Sequence, residues 1–306
     1  MATNPVVMTD STLSLTRQTL TAGSRLRQVA FVSCLLALSG CMSVVSSFTT
    51  DFAEDLGNSI LDNPDVEMVQ EGAPAFLLLL DSLVAQSPDN PDLLMQSSRL
   101  TSAYAAAFVN DPERAKLMAD KAFVDMQRSV CLTIRDGCDL RTRPFEEYDA
   151  WVLARTIDDV PQIYQLATVW SGWIQANSED FAAIAELGRA KALMLRVAEL
   201  DETFDYGGPH LYLGVFETLL PPSLGGRPEV GREHFERAIE ISEGRYLMTK
   251  VFFADQYARL LFDRELHDQL LGEVVSSDPA GPGLTLINTV AQRRAQELLD
   301  TADAYF

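Results

Sequence analysis

The stretch GPHLYLGVFETLLPPSLGGRPEVGREHFERAI, residues 208–239, decides the fold. Its first half sets a large residue beside a small one at Leu213 and Gly214, and its second half spaces Gly231, Phe235 and Ala238 four and three residues apart. Paired prolines and paired glycines separate the two halves and mark the end of one helix and the start of another. Small residues let two helix backbones touch, and a large one fills the remaining gap. The pattern therefore predicts two closely crossing helices.

The same spacing recurs elsewhere, with imperfect matches and an irregular period. A second unit comprises Phe253, Ala254, Tyr257, Leu271, Val274 and Pro279. Earlier matches are Leu100, Thr101, Tyr104, Ala115, Ala119 and Ala122, preceded by a half-unit of Ala75, Leu79 and Ser82. Residues 143–205 fit the spacing poorly and are predicted to form an inserted helical pair. We predict an all-α fold, a degenerate tetratricopeptide-like helical array (α-solenoid) of about four units. An unrelated helical bundle is the alternative.

The N-terminus has the features of a lipoprotein signal peptide. Arginines precede an apolar run from Val29 to Leu38, which ends in Leu38-Ser-Gly-Cys41. A charged segment, a short apolar segment and small residues at the cut are typical of secretory signals, and this ending matches the bacterial lipobox. We predict cleavage before Cys41 and lipidation of its thiol. An ordinary signal peptide with a chance cysteine is the alternative.

The chain is accordingly divided into a signal peptide (1–40), a lipid-anchored tether with a first short helix (41–62) and a tetratricopeptide-like helical domain (63–306). Met42 follows the lipidated cysteine, where aspartate would signal retention at the inner membrane in many Gram-negative bacteria. The predicted location is therefore the periplasmic face of the outer membrane.

The charge balance restricts the partners. The chain has 24 Lys and Arg against 44 Asp and Glu, a formal net charge of −20. Such a charge repels nucleic acid and anionic lipid head groups, so no nucleic-acid partner is expected. Behind the signal segment no apolar run reaches membrane-spanning length; the nearest is Phe76–Leu80.

Two cysteines remain once Cys41 carries lipid and the signal peptide is removed. Cys131 and Cys138 lie in a segment with Gly137, which allows a tight turn. Because the periplasm is oxidising, we predict a Cys131–Cys138 disulfide. Two free cysteines too far apart to bridge are the alternative.

The sequence shows no catalytic or metal constellation. His210, His234 and His267 are scattered without zinc-ligand spacing, and the glycine-rich segment 225–231 lacks the Gly-Lys-Ser/Thr ending of a P-loop. We therefore predict a protein without a metal or cofactor that is not an enzyme. An enzyme with a site assembled from distant residues is a third, weaker hypothesis.

Aromatic residues suggest a binding surface. Trp170 and Trp173 lie three apart on one helix, and Tyr206 and Tyr212 flank a Gly-Gly-Pro turn. Such clusters more often belong to a core. On the concave face of a helical array, however, aromatics anchor ligands or partners. We predict ligand or partner binding by these four residues, with Arg259 as a contact for a carboxylate.

Several motifs resemble one family. They are Gly208-Pro-His-Leu-Tyr-Leu-Gly214, Leu220-Pro-Pro-Ser-Leu-Gly-Gly-Arg-Pro-Glu229, His234-Phe-Glu-Arg-Ala-Ile239, Tyr257-Ala-Arg259, Phe262-Asp-Arg-Glu-Leu266 and Asn288-x3-Gln292-Arg-Arg-Ala295. The chain resembles the T-component lipoproteins of tetratricopeptide-associated TRAP transporters over nearly all of its mature length. The resemblance implies a non-enzymatic periplasmic lipoprotein that partners a soluble substrate-binding protein, with a homo-trimer in at least one type.

The leading hypothesis is therefore the T component of a TRAP-type solute uptake system. It would bind the substrate-binding protein and possess a site for an apolar or carboxylate ligand. A general periplasmic tetratricopeptide scaffold lipoprotein in envelope assembly is the alternative.

Overall fold

The computed structural model describes residues 55–306, and within that range the chain forms helices and their connections without any strand. The predicted signal peptide, Cys41 and most of the tether lie outside the described residues. Residues 55–61 are helical. The helices that follow are α1 Val66–Gln86, α2 Pro91–Phe108, α3 Pro112–Thr133, α4 Phe145–Leu153, α5 Val160–Ala176, α6 Phe181–Ala185 and α7 Leu187–Leu200. The second half contains α8 Phe204–Thr218, α9 Pro228–Ile241, α10 Leu247–Phe252, α11 Arg264–Ser276, α12 Thr285–Asp300 and α13 Ala302–Tyr305.

Short polar residues start several of these helices. The carboxylate of Asp111 accepts a hydrogen bond from the backbone N–H of Arg114 at 2.7 Å, and Pro112 occupies the first helical position of α3. A capping side chain satisfies a backbone donor that has no partner within the helix, and proline supplies a helical φ in advance. Asn90 and Pro91 start α2 in the same way. The sequence signals for the start of these helices therefore coincide with the structure.

The crossing of α8 and α9 confirms the pattern of residues 208–239. A methyl group on Gly214 would lie 2.8 Å from the ring of Phe235, and one on Gly231 would lie 2.7 Å from the side chain of Thr218. Phe235 and Ala238 are fully buried at this crossing. The absent side chains let the two backbones approach, and the phenyl ring fills the space beside them.

Successive helices pack on one another, which confirms the all-α helical array. In the first half, α2 packs on α3, α3 on α5, α5 on α7 and α7 on α8; in the second half, α8 packs on α9 and α11 on α12. The segment 143–205 was expected to be an inserted pair. Instead, its long helices α5 and α7 continue the stack between α3 and α8, because both bury an apolar face in the same core cluster. Only the short α4 and α6 are additions to the stack.

Two further details differ from the sequence expectation. The half-unit of Ala75, Leu79 and Ser82 points to solvent, and α1 instead buries Phe76 and Leu80, one residue later. The second unit is buried as expected at Phe253 and Tyr257, but residues Phe253–Ala258 form a π-helix. Insertion of one residue per turn rotates the helix face, a change that apolar spacing does not reveal.

One helix among the described residues, α1, is long and apolar enough to cross a membrane by length and composition, contrary to the expectation from the lengths of the apolar runs. This is weak evidence, because helices of soluble proteins also pass that test. In the structure α1 contributes Phe76 and Leu80 to a core cluster with Leu93 and Leu100 of α2.

The structure joins Cys131, near the end of α3, to Cys138 in the following loop, with Cα atoms 4.4 Å apart. The turn between them differs from expectation, because left-handed backbone is adopted by Asp136 and not by Gly137. Gly137 is needed for another reason: a methyl group there would lie 2.7 Å from the carbonyl oxygen of Val130.

Candidate functional site

A left-handed turn opens α8. Asp205, Tyr206 and Gly207 have φ values of 49°, 58° and 81°. Two consecutive non-glycine residues in this region are strained, and strain of this kind persists only where the surrounding structure holds it. The hydroxyl of Tyr164 donates to the Asp205 carboxylate at 2.6 Å, and the hydroxyl of Tyr206 donates to the carbonyl of Pro282 at 3.0 Å. Contacts from α5 and from the loop before α12 thus fix the turn.

An aromatic cluster lies behind this turn. The ring of Tyr164 meets Phe204 edge-on at 5.0 Å and Tyr212 edge-on at 6.2 Å between centroids. Burial raises the pKa of Tyr212 to about 12 and the pKa values of Tyr164 and Tyr246 well above their ordinary value, and the Asp205 charge adds to all three shifts. These phenols therefore stay protonated at any physiological pH, and Tyr164 donates its hydroxyl hydrogen to Asp205. A side chain at position 208 would displace the Tyr164 ring, since its first carbon would overlap the Tyr164 hydroxyl.

The turn forms one wall of a cleft open to solvent, with a volume of about 530 Å³. The cleft is lined by Thr203, Asp205, Tyr206, Arg237, Glu240 and Ile241. Arg237 on α9 pairs with Glu240 at 2.6 Å and with Glu202 just before α8. Carboxylates, a guanidinium and a phenol are suited to hydrogen bonding with a polar solute or with a loop of a partner protein.

A histidine pair lies beside the cleft. Nδ1 of His210 and Nδ1 of His234 are 2.8 Å apart, so one ring donates and the other accepts. Nε2 of His210 lies 3.3 Å from the Glu202 carboxylate. Burial, together with the neighbouring His210, lowers the pKa of His234 to about 4. Burial also lowers the pKa of His210, against the opposing effect of Glu202. Both rings are therefore largely neutral near pH 7.

A buried carboxylate links three helices next to this pair. Glu217 of α8 accepts from Lys191 of α7 at 2.7 Å and from Nε of Arg227, just before α9, at 2.8 Å. Burial alone would raise the pKa of Glu217, but the hydrogen bonds from Arg227 and Lys191 outweigh it and hold the pKa below the usual range. The group is thus a charged structural link between helices. Across residues 55–306 no group of three or more His, Cys, Asp or Glu is placed to hold a metal ion.

Comparison with protein families identifies the array. The family model for the TRAP transporter T-component matches residues 62–306. The chain belongs to the TRAP transporter T-component family. No curated protein matches it. Membership associates the chain with a TRAP transport system, which agrees with the family resemblance found along nearly all of the mature chain.

The structure does not bring the five predicted binding residues together. Trp170 is fully buried and Trp173 is 8% exposed. Their indole N–H groups donate to Glu186 at 2.8 Å and to Asp120 at 2.7 Å. Both indoles thus pack in the core of this structure, as most such aromatics do, and their binding role stays a prediction.

Tyr206 lines the cleft, and Tyr212 lies behind it in the aromatic cluster. Arg259 is part of a separate group near the C-terminus, where its guanidinium lies 3.8 Å from the ring centroid of Tyr305 and pairs with Asp255 at 2.6 Å. The cleft receives its guanidinium from Arg237 instead, which sequence reasoning missed. The one available signal was its place in the motif His234-Phe-Glu-Arg-Ala-Ile239.

Proposed function

We propose that this chain is the T component of a TRAP-type solute uptake system and binds the substrate-binding protein of that system. The family match over residues 62–306 carries the proposal. Lipidation at Cys41 would hold the array at the periplasmic face of the outer membrane, where a soluble substrate-binding protein diffuses. The helical array supports this role, because stacked helices offer a long surface for a protein partner.

We further propose that the cleft beside Tyr206 receives a small polar solute or a loop of that partner. Arg237, Asp205 and Tyr206 supply polar groups to the lining of the cleft. A ligand carboxylate would compete with Glu202 and Glu240 for the Arg237 guanidinium. The apolar part of such a ligand would meet Ile241. The proposed role requires no acid–base step, because a transport component needs only to bind its ligand or partner and release it.

The test is calorimetric titration of the full chain, extracted in detergent, with the substrate-binding protein encoded beside the TRAP membrane subunits. We expect saturable binding. We predict no value for the affinity, because the area buried in an interface does not determine it. Light scattering of the same samples reports whether the chain is a trimer. Absence of binding, both with and without the solute that the substrate-binding protein carries, would refute the proposal. Capture of envelope-assembly proteins instead would favour the scaffold alternative.

A further inference from the structure

The cleft beside Tyr206 is lined by a carboxylate without a cationic partner. One oxygen of the exposed Asp205 accepts the hydroxyl hydrogen of Tyr164 at 2.6 Å, and Asp205 forms no ion pair with any residue of the range 55–306. Because the Tyr164 phenol is a neutral donor, the negative charge of Asp205 remains at the wall of the cleft. The second oxygen of this carboxylate accepts no hydrogen bond within the same range and is available to a ligand.

The backbone holds this carboxylate in a fixed position. Asp205 and Tyr206 both have left-handed φ values, of 49° and 58°. The contacts of Tyr164 with Asp205 and of Tyr206 with Pro282 maintain this conformation. A strained backbone that surrounding contacts maintain is typical of binding sites and ligand clamps. A group fixed in advance also loses little conformational freedom when a ligand binds.

The hydroxyl groups of the lining can only accept further hydrogen bonds. The hydroxyl of Thr203 donates to the Asp201 carboxylate at 2.7 Å, and the hydroxyl of Tyr206 donates to the Pro282 carbonyl at 3.0 Å. Each hydroxyl has thereby used its single hydrogen and keeps only lone pairs. With the free oxygen of Asp205, these groups give the cleft an excess of acceptors. A ligand rich in hydrogen-bond donors therefore fits the lining better than one rich in acceptors.

The charges around the cleft also favour a cation. The Nε and both terminal nitrogens of Arg237 donate to Glu202 or Glu240, so two carboxylates surround the guanidinium of the lining. A second cation, Arg245, has its guanidinium 5.9 Å from the ring centroid of Tyr206. Against these two arginines stand five carboxylates, those of Asp201, Glu202, Asp205, Glu240 and Glu243. The surroundings of the cleft thus remain negative after both arginines are counted.

We propose that the cleft binds a cationic nitrogen group, an ammonium or a guanidinium, with Asp205 as its counter-ion. The inference rests on the proposed function, in which this cleft receives the ligand. The cation would donate to the free oxygen of Asp205 and to the Thr203 hydroxyl, and its alkyl part would contact Ile241 and the Tyr206 ring. Such a group is carried by a free amine solute and by a Lys or Arg side chain of the substrate-binding protein. A carboxylate ligand would instead add negative charge among these acids.

The test uses small probes of similar shape and different charge: n-butylammonium, n-butanol and butyrate. Each is titrated into the full chain in a non-ionic detergent, and saturation-transfer NMR reports binding, with detergent alone as the blank. We expect saturable binding of n-butylammonium that weakens as salt rises, and weaker binding of the other two probes. The inference would be overturned if n-butylammonium did not bind, or bound no more tightly than n-butanol or butyrate.

Two aspartate-to-asparagine variants separate the cleft from the overall charge of the chain. Asp205→Asn removes the charge but keeps an oxygen for the Tyr164 hydroxyl, and asparagine tolerates left-handed backbone. Asp92→Asn makes the same change at an exposed residue of α2, a helix that packs on α1, α3 and α5. The Kd of n-butylammonium should rise about three- to tenfold in Asp205→Asn and by no more than about 1.5-fold in Asp92→Asn. Circular dichroism melting verifies that both variants are folded. Equal affinity in the wild type and in folded Asp205→Asn would contradict the assignment of the cation to this cleft.

Calorimetry with the substrate-binding protein identifies the source of the cationic group. If Asp205→Asn weakens that complex and n-butylammonium competes with it, the group belongs to a side chain of the partner. If the complex is unchanged while n-butylammonium binding is weakened, the cleft takes a free amine. If the wild type does not bind the substrate-binding protein, the proposed function fails, whereas the n-butylammonium titration still decides whether the cleft takes a cation.

Discussion

Replacing Phe235 by alanine should lower the free energy of unfolding by about 3–5 kcal/mol. The ring is fully buried and stacks on Phe253 with centroids 5.2 Å apart. Its other side lies against the backbone of Gly214. Truncation removes the transfer free energy of the ring and leaves a cavity. Neither Gly214 nor Ala238 has a side chain that can move into this space, so the upper part of the range is expected.

The loss should be visible in both thermal and chemical unfolding. For an array of this size, 1 kcal/mol corresponds to about 2–4 °C in Tm, so the variant should melt about 6–20 °C lower. Urea unfolding followed by circular dichroism gives the free energy directly. The control is Phe181→Ala, at a residue that is 87% exposed, which should change stability by no more than about 0.5 kcal/mol.

A second substitution tests whether the helix crossing itself is responsible. Gly214→Ala alone should cost about 1–3 kcal/mol, because its methyl group would lie 2.8 Å from the Phe235 ring. In the Phe235→Ala background that methyl group enters vacated space, so the cost of the second change should fall by about 1 kcal/mol or more. The described crossing would be refuted if the two substitutions changed the free energy of unfolding additively. It would also be refuted if Phe235→Ala lowered that free energy by less than about 1 kcal/mol.

Three further outcomes are expected. Because the pKa of His234 is about 4 in the folded chain and about 6.5 when unfolded, the folded state binds fewer protons between these values. Stability should therefore fall by about 1–3 kcal/mol as pH drops from 6.5 to 4; urea midpoints measure this, and His234→Asn should flatten the slope. Unreduced peptide mass spectrometry should show Cys131 joined to Cys138, a link that contributes about 2–3 kcal/mol, and two alkylatable thiols would contradict it. Cys41→Ser should abolish palmitate labelling and block maturation, while continued labelling would contradict lipidation.

The sequence predicted only some of the residues that line the candidate site. The sequence marked Tyr206 and the Gly-Gly-Pro turn, because glycine and proline restrict backbone conformation locally. It did not find Arg237 as the guanidinium of the cleft. That role depends on how α9 lies against the turn that opens α8, and a contact between helices leaves no local signal. For Trp170 and Trp173 the sequence suggested a binding role that the packing does not support. Their spacing places them on one helix face but does not say whether that face is exposed or buried, and only the packing places them in the core.

The sequence by itself determined the all-α class, the family and the crossing of α8 with α9. Each depends on local spacing: small residues where backbones touch, a large ring to fill the gap, and polar caps at helix starts. Only the tertiary structure decided that α5 and α7 continue the stack, that Phe253–Ala258 forms a π-helix, and that Leu153 and Leu195 stay exposed while neighbouring leucines are buried. These outcomes depend on which helix packs against each surface. Burial is a property of two surfaces in contact, and the sequence of one helix describes only one of them.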